Sequence, residues 1–352
     1  MHNLRREFIR KDICALFVSQ PENIYYLSGF DGSDTFLLIT PQDAILATDF
    51  RYIEQAERQA PDYEIFQISG RIKDWFPRLM SGISWDKLGF EAGHITFALH
   101  QQLVDALGES KPSLKFTPVV GLVESLRIIK EPEEIELIMQ ASAITDNAIE
   151  YVKDIVYAGM SEKELAWEIE KFMREHGSQT LPFEVIAASG PNSALPHAQP
   201  SEHIINEGEP IVIDIGARIG GYGSDLSRTL CVGSGDGTYN KVYDIVLEAQ
   251  LTAIAAMKEG MTGEEADRLA RKIIIEAGYG ETFGHSLGHG VGLAAHEQPR
   301  LGPSSVERLV NGMVFSIEPG IYITGWGGVR IEDTVVMENG KIRVISSAPK
   351  NR

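Results

Sequence analysis

The feature that most limits how this chain folds is a set of four carboxylates written into otherwise apolar, strand-like runs. Asp214 interrupts PIVIDIGA, Glu318 interrupts MVFSIEPGIY and Glu332 interrupts VRIEDTVVM, while Asp225 closes a glycine-rich turn in GGYGSDLSRT. A run such as IVIDIG belongs in a core, and a carboxylate carried there must be neutralised, paired or bound to a metal. A single such acid is as often a structural hydrogen-bond acceptor as a functional group. Four of them in one half of the chain, with a histidine cluster nearby, fit a shared cation better.

The histidine cluster is GHSLGHGVGLAAHE (284–297), which sets His285, His289 and His296 among glycines. It contains G-x-S-x-G, the spelling of a nucleophile elbow, and His-x-x-x-His, a spacing that a zinc helix uses. An elbow needs a strand before it and the order Ser, acid, His. Here IIIEAGYGETF reads as a helix end and a broken loop, and no acid lies between Ser286 and either His289 or His296. The zincin motif places Glu beside its first His on a continuous helix. Ser286 takes that place, and Gly284, Gly288, Gly290 and Gly292 would each cost a helix about 1 kcal/mol. The segment is therefore read as extended, its glycines letting the backbone pass close to something, with Ser286 a loop serine.

Charge narrows the partners. Lys plus Arg number 32 and Asp plus Glu 50, a net charge of −18. An acidic surface argues against nucleic acid and anionic membranes, and suits small substrates and acids that hold a cation. The 352 residues imply two domains or one large one. Cys14 and Cys231 make no disulfide framework. The apolar run ICALFV is too short for a signal-peptide core, and no run of about 18 apolar residues offers a membrane span. The reading is a cytoplasmic globular protein with no membrane partner.

Residues 1–122 alternate strands and helices. ICALFV (13–18), TFLLIT (35–40) and DAILAT (43–48) read as strands, and DFRYIEQAERQA (49–60) as a helix capped by Asp49. That alternation predicts a mixed α/β sheet with helices outside. From residue 123 the texture becomes α+β. The segment 126–156 has Pro132 at a helix start and an acidic first turn. The segment 161–177 offers a Ser161–Glu164 capping box and Gly177 as a stop. Helices are predicted over roughly 238–258 and 263–277. Strands are predicted in EVIAAS, PIVIDIGAR, SRTLCV, MVFSIEPGIYI and GVRIEDTVVM. One histidine with four carboxylates is a hard, oxygen-rich donor set whose charge two divalent cations would balance, as in two-metal hydrolases. Oxygen donors favour manganese, or cobalt in vitro, over structural zinc.

Asp214, Asp225, His289, Glu318 and Glu332, in the contexts VIDIGA, SDLSRT, GHGVGL, EPGIY and VRIEDT, resemble the ligand set of the pita-bread metallopeptidases, family M24. They resemble the prolidase and aminopeptidase P branch most. NIYYLSGF (23–30) and ATDFRY (47–52) resemble that branch's creatinase-like leading domain, which methionine aminopeptidases usually lack. The resemblance covers nearly the whole chain. It implies an α/β creatinase-like N-terminal domain over 1–122 and an α+β pita-bread catalytic domain over 123–352. It implies two divalent ions, with Asp214 chelating one, Asp225 and Glu332 bridging both, and His289 and Glu318 completing the other shell. A bridging hydroxide would then be the nucleophile, with Glu318 as general base. His197, in NSALPHAQP, would stabilise the tetrahedral intermediate, and His296 would hydrogen-bond the scissile carbonyl. His285 would face the other end of the cleft, near the proline or its carboxylate. Arg330 lies two residues before Glu332 on one strand face, and would support the metal carboxylates or the substrate carboxylate, unless it is a surface arginine.

The reaction implied is hydrolysis of the bond before proline, whose tertiary amide has no N–H. The short chain and compact leading domain favour Xaa-Pro dipeptides, the prolidase activity. The alternative is an Xaa-Pro aminopeptidase acting on longer peptides. A creatinase-type amidinohydrolase would lack these ligands. The rival from another class is a non-catalytic peptide-binding protein on the same scaffold. A homodimer is also implied by the branch.

Overall fold

The computed structural model describes residues 1–81, 86–108, 111 and 113–351. The chain divides into two compact units, Met1–Arg127 and Ile128–Arg352.

The first unit is built on β1 (Ala15–Val18), β2 (Phe36–Ile39), β3 (Ala44–Asp49), β4 (Glu64–Ile68), β5 (Lys87–Glu91) and β6 (Lys115–Val119). They form one mixed sheet in the order β4-β3-β2-β1-β5-β6. Strand β1 pairs antiparallel to β2 and parallel to β5. Its ALFV is buried throughout, as a central strand covered on both faces must be. Leu16 and Val18 face one core with Leu4 and Phe8 of α1 (His2–Arg10), Ile24 of α2 (Pro21–Ser28) and Ala56 of α3 (Ile53–Gln59). Ala15 and Phe17 face the other, with Phe76 of α4 (Ile72–Leu79) and Leu103 of α5 (Phe97–Leu107). A short helix, α6 (Glu124–Arg127), closes the unit. The expected Asp49 cap is not made. Asp49 ends β3 and its carboxylate binds Arg51 through Nε and the backbone N–H, so α3 begins only at Ile53.

The second unit opens with α7 (Pro132–Ile155), whose Pro132 stands in the first turn beside a Glu131–Glu134 capping box. Ile138, Ala141, Thr145, Ala148, Ile149 and Val152 make its buried stripe at three- and four-residue spacing. Helix α8 (Glu162–Glu175) is capped by the Ser161 hydroxyl, which accepts from the Glu164 N–H at 3.2 Å. Strands β7 (Ile186–Ser189), β8 (Pro210–Ile215) and β11 (Leu226–Cys231) form an antiparallel sheet in the order β11-β8-β7, and the small hairpin β9 (Arg218–Ile219) and β10 (Tyr222–Gly223) lies between β8 and β11 in sequence. Ile144, Leu165, Ile169, Ile211, Ile213 and Leu226 share the core between α7, α8 and this sheet. Helices α9 (Gly237–Ala256) and α10 (Gly263–Glu276) precede β12 (Gly288–Gly290), β13 (Glu297–Leu301), β14 (Val314–Ile317), β15 (Gly320–Ile323), β16 (Gly327–Arg330), β17 (Asp333–Glu338) and β18 (Lys341–Val344). The second sheet has the order β13-β12-β14-β17-β18, and β15 and β16 form a two-stranded hairpin of their own.

MVFSIEPGIYI and GVRIEDTVVM each read as one strand, and each is in fact two. The chain leaves the β14 sheet after Ile317 and enters the β15–β16 hairpin at Gly320; it returns between Arg330 and Asp333. Pro319 has no N–H to extend a ladder, so it suits the break. The two corners face each other, the Ile331 N–H pointing at the Pro319 carbonyl at 3.4 Å. Glu318 and Glu332 therefore stand at corners, free of ladder register, with their carboxylates able to turn toward one point.

Candidate metal centre

Five elements deliver the acids and the imidazole. Asp214 sits on β8, paired with Ile186 on one side and Ser227 on the other. Asp225 immediately precedes β11, and Glu318 and Glu332 occupy the two corners. His289 is the middle residue of β12, between strands that approach so closely that only glycine fits beside it. A Cβ on Gly288 would lie 2.0 Å from the Ser316 carbonyl oxygen, and one on Gly290 would lie 2.1 Å from that of Gln298. Gly288–Gly290 is extended as expected, whereas residues 292–296 bend before β13, and the Ser286 hydroxyl accepts from Arg300 Nε at 2.9 Å.

The geometry brings Asp225, His289, Glu318 and Glu332 together, with Asp214 near enough for its charge to act on the other three acids. His289 Nε2 stands 3.4 Å from Asp225 Oδ2 and 3.3 Å from Glu318 Oε1. Ligand atoms of Asp225, His289 and Glu332 lie within 4.8 Å of one another. His289 Nδ1 is 3.1 Å from the Gly290 carbonyl oxygen, which fixes Nδ1 as the N–H and turns the Nε2 lone pair toward the acids. The Ser316 hydroxyl accepts from the His289 N–H at 3.1 Å and donates to Glu318 Oε1 at 3.0 Å, so one side chain aligns both. Glu332 Oε2 accepts from Ser227 Oγ at 2.7 Å. The fully buried Arg228 holds the Glu332 carbonyl and pairs with Asp333 at 2.9 Å, fixing the corner from below.

Arg330 is not a surface arginine, since only 2% of it is exposed. Its Nη2 donates to Asp214 Oδ2 at 2.6 Å, Nε to Ser227 Oγ at 2.8 Å, and Nη1 to the Pro196 carbonyl and the Tyr322 hydroxyl at 3.1 and 3.0 Å. With four of its bonds made to the protein, one of them to Asp214, it supports the carboxylates. Tyr322 in turn meets His285 Nε2 at 3.0 Å, while His285 Nδ1 lies 2.8 Å from the Ser286 carbonyl. Burial, helped by the nearby arginines, lowers the His285 pKa to about 4. A neutral ring that donates from Nδ1 and accepts at Nε2 satisfies both contacts. The His296 ring lies 4.3 Å from that of His289. Its outer edge is exposed, yet desolvation and the neighbouring His289 lower its pKa. His197 is exposed and follows the Pro196 carbonyl held by Arg330; a charge on it would depress both His285 and His296. Tyr322, Ser316 and Ser227 were not among the residues singled out from the sequence. Ser316 alone left a trace, two residues before Glu318 on the same face.

The residues fit divalent cations. Two buried carboxylate oxygens, Asp214 Oδ1 and Glu332 Oε1, have no hydrogen-bond partner among the described residues, and an orphaned oxygen of this kind is stable when a cation takes it. Desolvation, compounded by the neighbouring acids, pushes Asp225 and Glu332 well above the usual carboxylate range and Glu318 to about 8. A cation replaces the protons that this crowding otherwise draws in. The set is oxygen-rich with one imidazole, and contains no thiolate.

Residues 136–339 match the sequence profile of metallopeptidase family M24, and residues 1–129 match the creatinase/prolidase N-terminal domain. The chain belongs to metallopeptidase family M24. A curated relative, the Xaa-Pro dipeptidase of Pyrococcus furiosus, is 38% identical over 331 residues, 94% of this chain and 92% of that protein. Among solved structures, the Xaa-Pro dipeptidase from Bacillus anthracis superposes with a TM-score of 0.95 at 41% identity, covering 99% of this chain and 97% of that one. The X-Pro aminopeptidase from Thermotoga maritima superposes with a TM-score of 0.89 at 35% identity, covering 98% and 99%. The M24 membership carries the creatinase-like and pita-bread architecture and divalent metal ions with it. Among the described residues no helix is long and apolar enough to cross a membrane.

Proposed function

We propose that this M24 metallopeptidase hydrolyses the peptide bond before proline, acting chiefly on Xaa-Pro dipeptides. The observation that carries the reading is the convergence of Asp214, Asp225, His289, Glu318 and Glu332, with two orphaned carboxylate oxygens, in a chain similar over its whole length to an Xaa-Pro dipeptidase. Two divalent ions would be held by these five residues, with Asp225 and Glu332 shared; oxygen donors favour manganese, with cobalt an effective substitute in vitro. When bound, the ions supply Lewis acidity and lower the pKa of a water.

The chain's own residues supply the rest. Glu318, aligned by the Ser316 hydroxyl and 3.3 Å from His289 Nε2, stands where it can take and return the proton of a reacting water. His296 and His197, exposed at the cluster's edge, donate hydrogen bonds to the carbonyl oxygen as negative charge develops there. Arg330 holds one oxygen of Asp214 so that the other faces the centre. His285, neutral and tied to Tyr322, forms a wall of the cleft on the proline side. The two free cysteines agree with a cytoplasmic setting, and a homodimer is the assembly proposed.

The test is hydrolysis by chelator-stripped protein, with and without Mn²⁺, of an Xaa-Pro dipeptide beside an Xaa-Pro-Xaa tripeptide. Metal-dependent cleavage confined to the dipeptide supports the proposal. Cleavage mainly of the tripeptide moves the activity to an aminopeptidase, which the likeness to the X-Pro aminopeptidase from Thermotoga maritima keeps as the second reading. Metal-independent failure on both leaves a peptide-binding protein on this scaffold.

A further inference from the structure

The loop that carries His197 runs from the end of β7 at Ser189 to Ser201, and a single carboxylate holds both of its ends. Glu162, the first residue of α8, is 1% exposed. Its Oε1 accepts from the Ser189 N–H at 2.7 Å and from Ser189 Oγ at 3.2 Å. Its Oε2 accepts from the Ser201 N–H at 3.0 Å and from Ser201 Oγ at 2.7 Å. Asn192 Nδ2 lies 3.1 and 3.2 Å from the two oxygens and ties the short 3-10 helix Gly190–Ala194 to the same group. The Glu162 and Lys163 N–H groups donate to the His203 and Ser201 carbonyls, so the loop's exit also lies on the first turn of α8. One oxygen serves the entry and the other the exit.

We infer that Glu162 is a positioning residue for His197, clasping the 189–201 loop so that His197 is presented at the edge of the metal centre. The inference rests on the functional reading above, in which His197 faces substrate. A carboxylate is required because every contact is a donor. In Glu162→Gln one oxygen becomes an NH₂, which faces the Ser189 or the Ser201 N–H and releases one end of the loop. Glu162→Asp is one methylene too short to span both ends. A displacement of about 1 Å at a catalytic group costs up to about 100-fold in rate, and this sets the size of the effect.

The test combines a double-mutant cycle with amide hydrogen exchange on the full chain. Glu162→Gln lowers kcat/KM on the Xaa-Pro substrate by about 10- to 100-fold, and in a His197→Ala background it lowers it no further. Combined with His296→Ala, which lies on a different loop, its loss multiplies. Exchange of the amides over 189–201 accelerates in Glu162→Gln, while peptides covering 291–297 exchange as before. Asn192→Ala, a milder cut in the same clasp, repeats the pattern at smaller size and serves if Glu162→Gln folds poorly. Losses that multiply with His197→Ala, or loop exchange unchanged in both variants, overturn the clasp. A wild-type chain inactive on every Xaa-Pro substrate overturns the functional reading, and with it the positioning role, whereas an active wild type with multiplying losses overturns the clasp alone.

Discussion

Cation binding to this centre displaces protons, and the number displaced is set by how far the acids' pKa values are raised. Glu318 is pushed to about 8 by burial, against an ordinary 4.5. At pH 7 such a carboxyl is roughly nine-tenths protonated without metal and is ionised once it ligates. Asp225 and Glu332 are raised as well, by desolvation first and by the neighbouring acids next. Loading stripped protein with Mn²⁺ at pH 7 therefore releases about one proton from Glu318, with any release from Asp225 and Glu332 adding in the same direction, and the Glu318 contribution falls as the pH passes above 8. The sign for stability follows. A carboxyl raised above its unfolded value stabilises the stripped fold below pH 4.5, and that contribution is lost as pH rises toward 8. For Glu318 alone the loss is on the order of 5 kcal/mol at its upper bound. At about 2–4 °C per kcal/mol, the Tm gap between loaded and stripped protein widens by on the order of 10 °C between pH 5 and pH 8. Calorimetric titration in two buffers of different ionisation enthalpy counts the protons, and scanning calorimetry reads the gap. No proton release at pH 7, or a gap that narrows as pH rises, would refute this account of the acid cluster.

Other substitutions probe the supports. Arg330→Lys keeps the charge but not the fork that reaches Asp214, Ser227, Tyr322 and the Pro196 carbonyl, and should cost about 3 kcal/mol, read as a Tm lower by about 10 °C with reduced kcat. His289→Ala should lower kcat/KM by orders of magnitude with little change in far-UV circular dichroism, while Ser286→Ala, which loses one bond to an exposed arginine, should stay within about twofold of wild type. Gly290→Ala forces β12 and β13 apart and should cost about 2 kcal/mol or more, with a matching loss of metal affinity in a titration.

The sequence exposed the acids because a carboxylate is conspicuous in a run of β-branched residues, and that is why Asp214 was legible before any neighbour was known. It also marked His289, since glycines at 288 and 290 exclude a helix and have a geometric reason in the close strands on either side. Glu318 and Glu332 were legible as acids but misplaced as strand residues, because apolar runs continue through both corners and only Pro319 hinted at a break. Asp49 failed as a cap because Arg51, two residues on, competes for the same carboxylate. The partners that orient the centre were invisible for another reason. Tyr322 meets His285, Arg330 meets Asp214 and Glu162 meets Ser189 across 37, 116 and 27 residues of chain, and no local pattern records such pairings.

The most direct test of the central claim is anomalous diffraction at the manganese edge, from crystals of stripped protein reloaded with Mn²⁺. The account predicts two peaks enclosed by Asp214, Asp225, His289, Glu318 and Glu332. Manganese bound elsewhere, or none among these five residues, would contradict it.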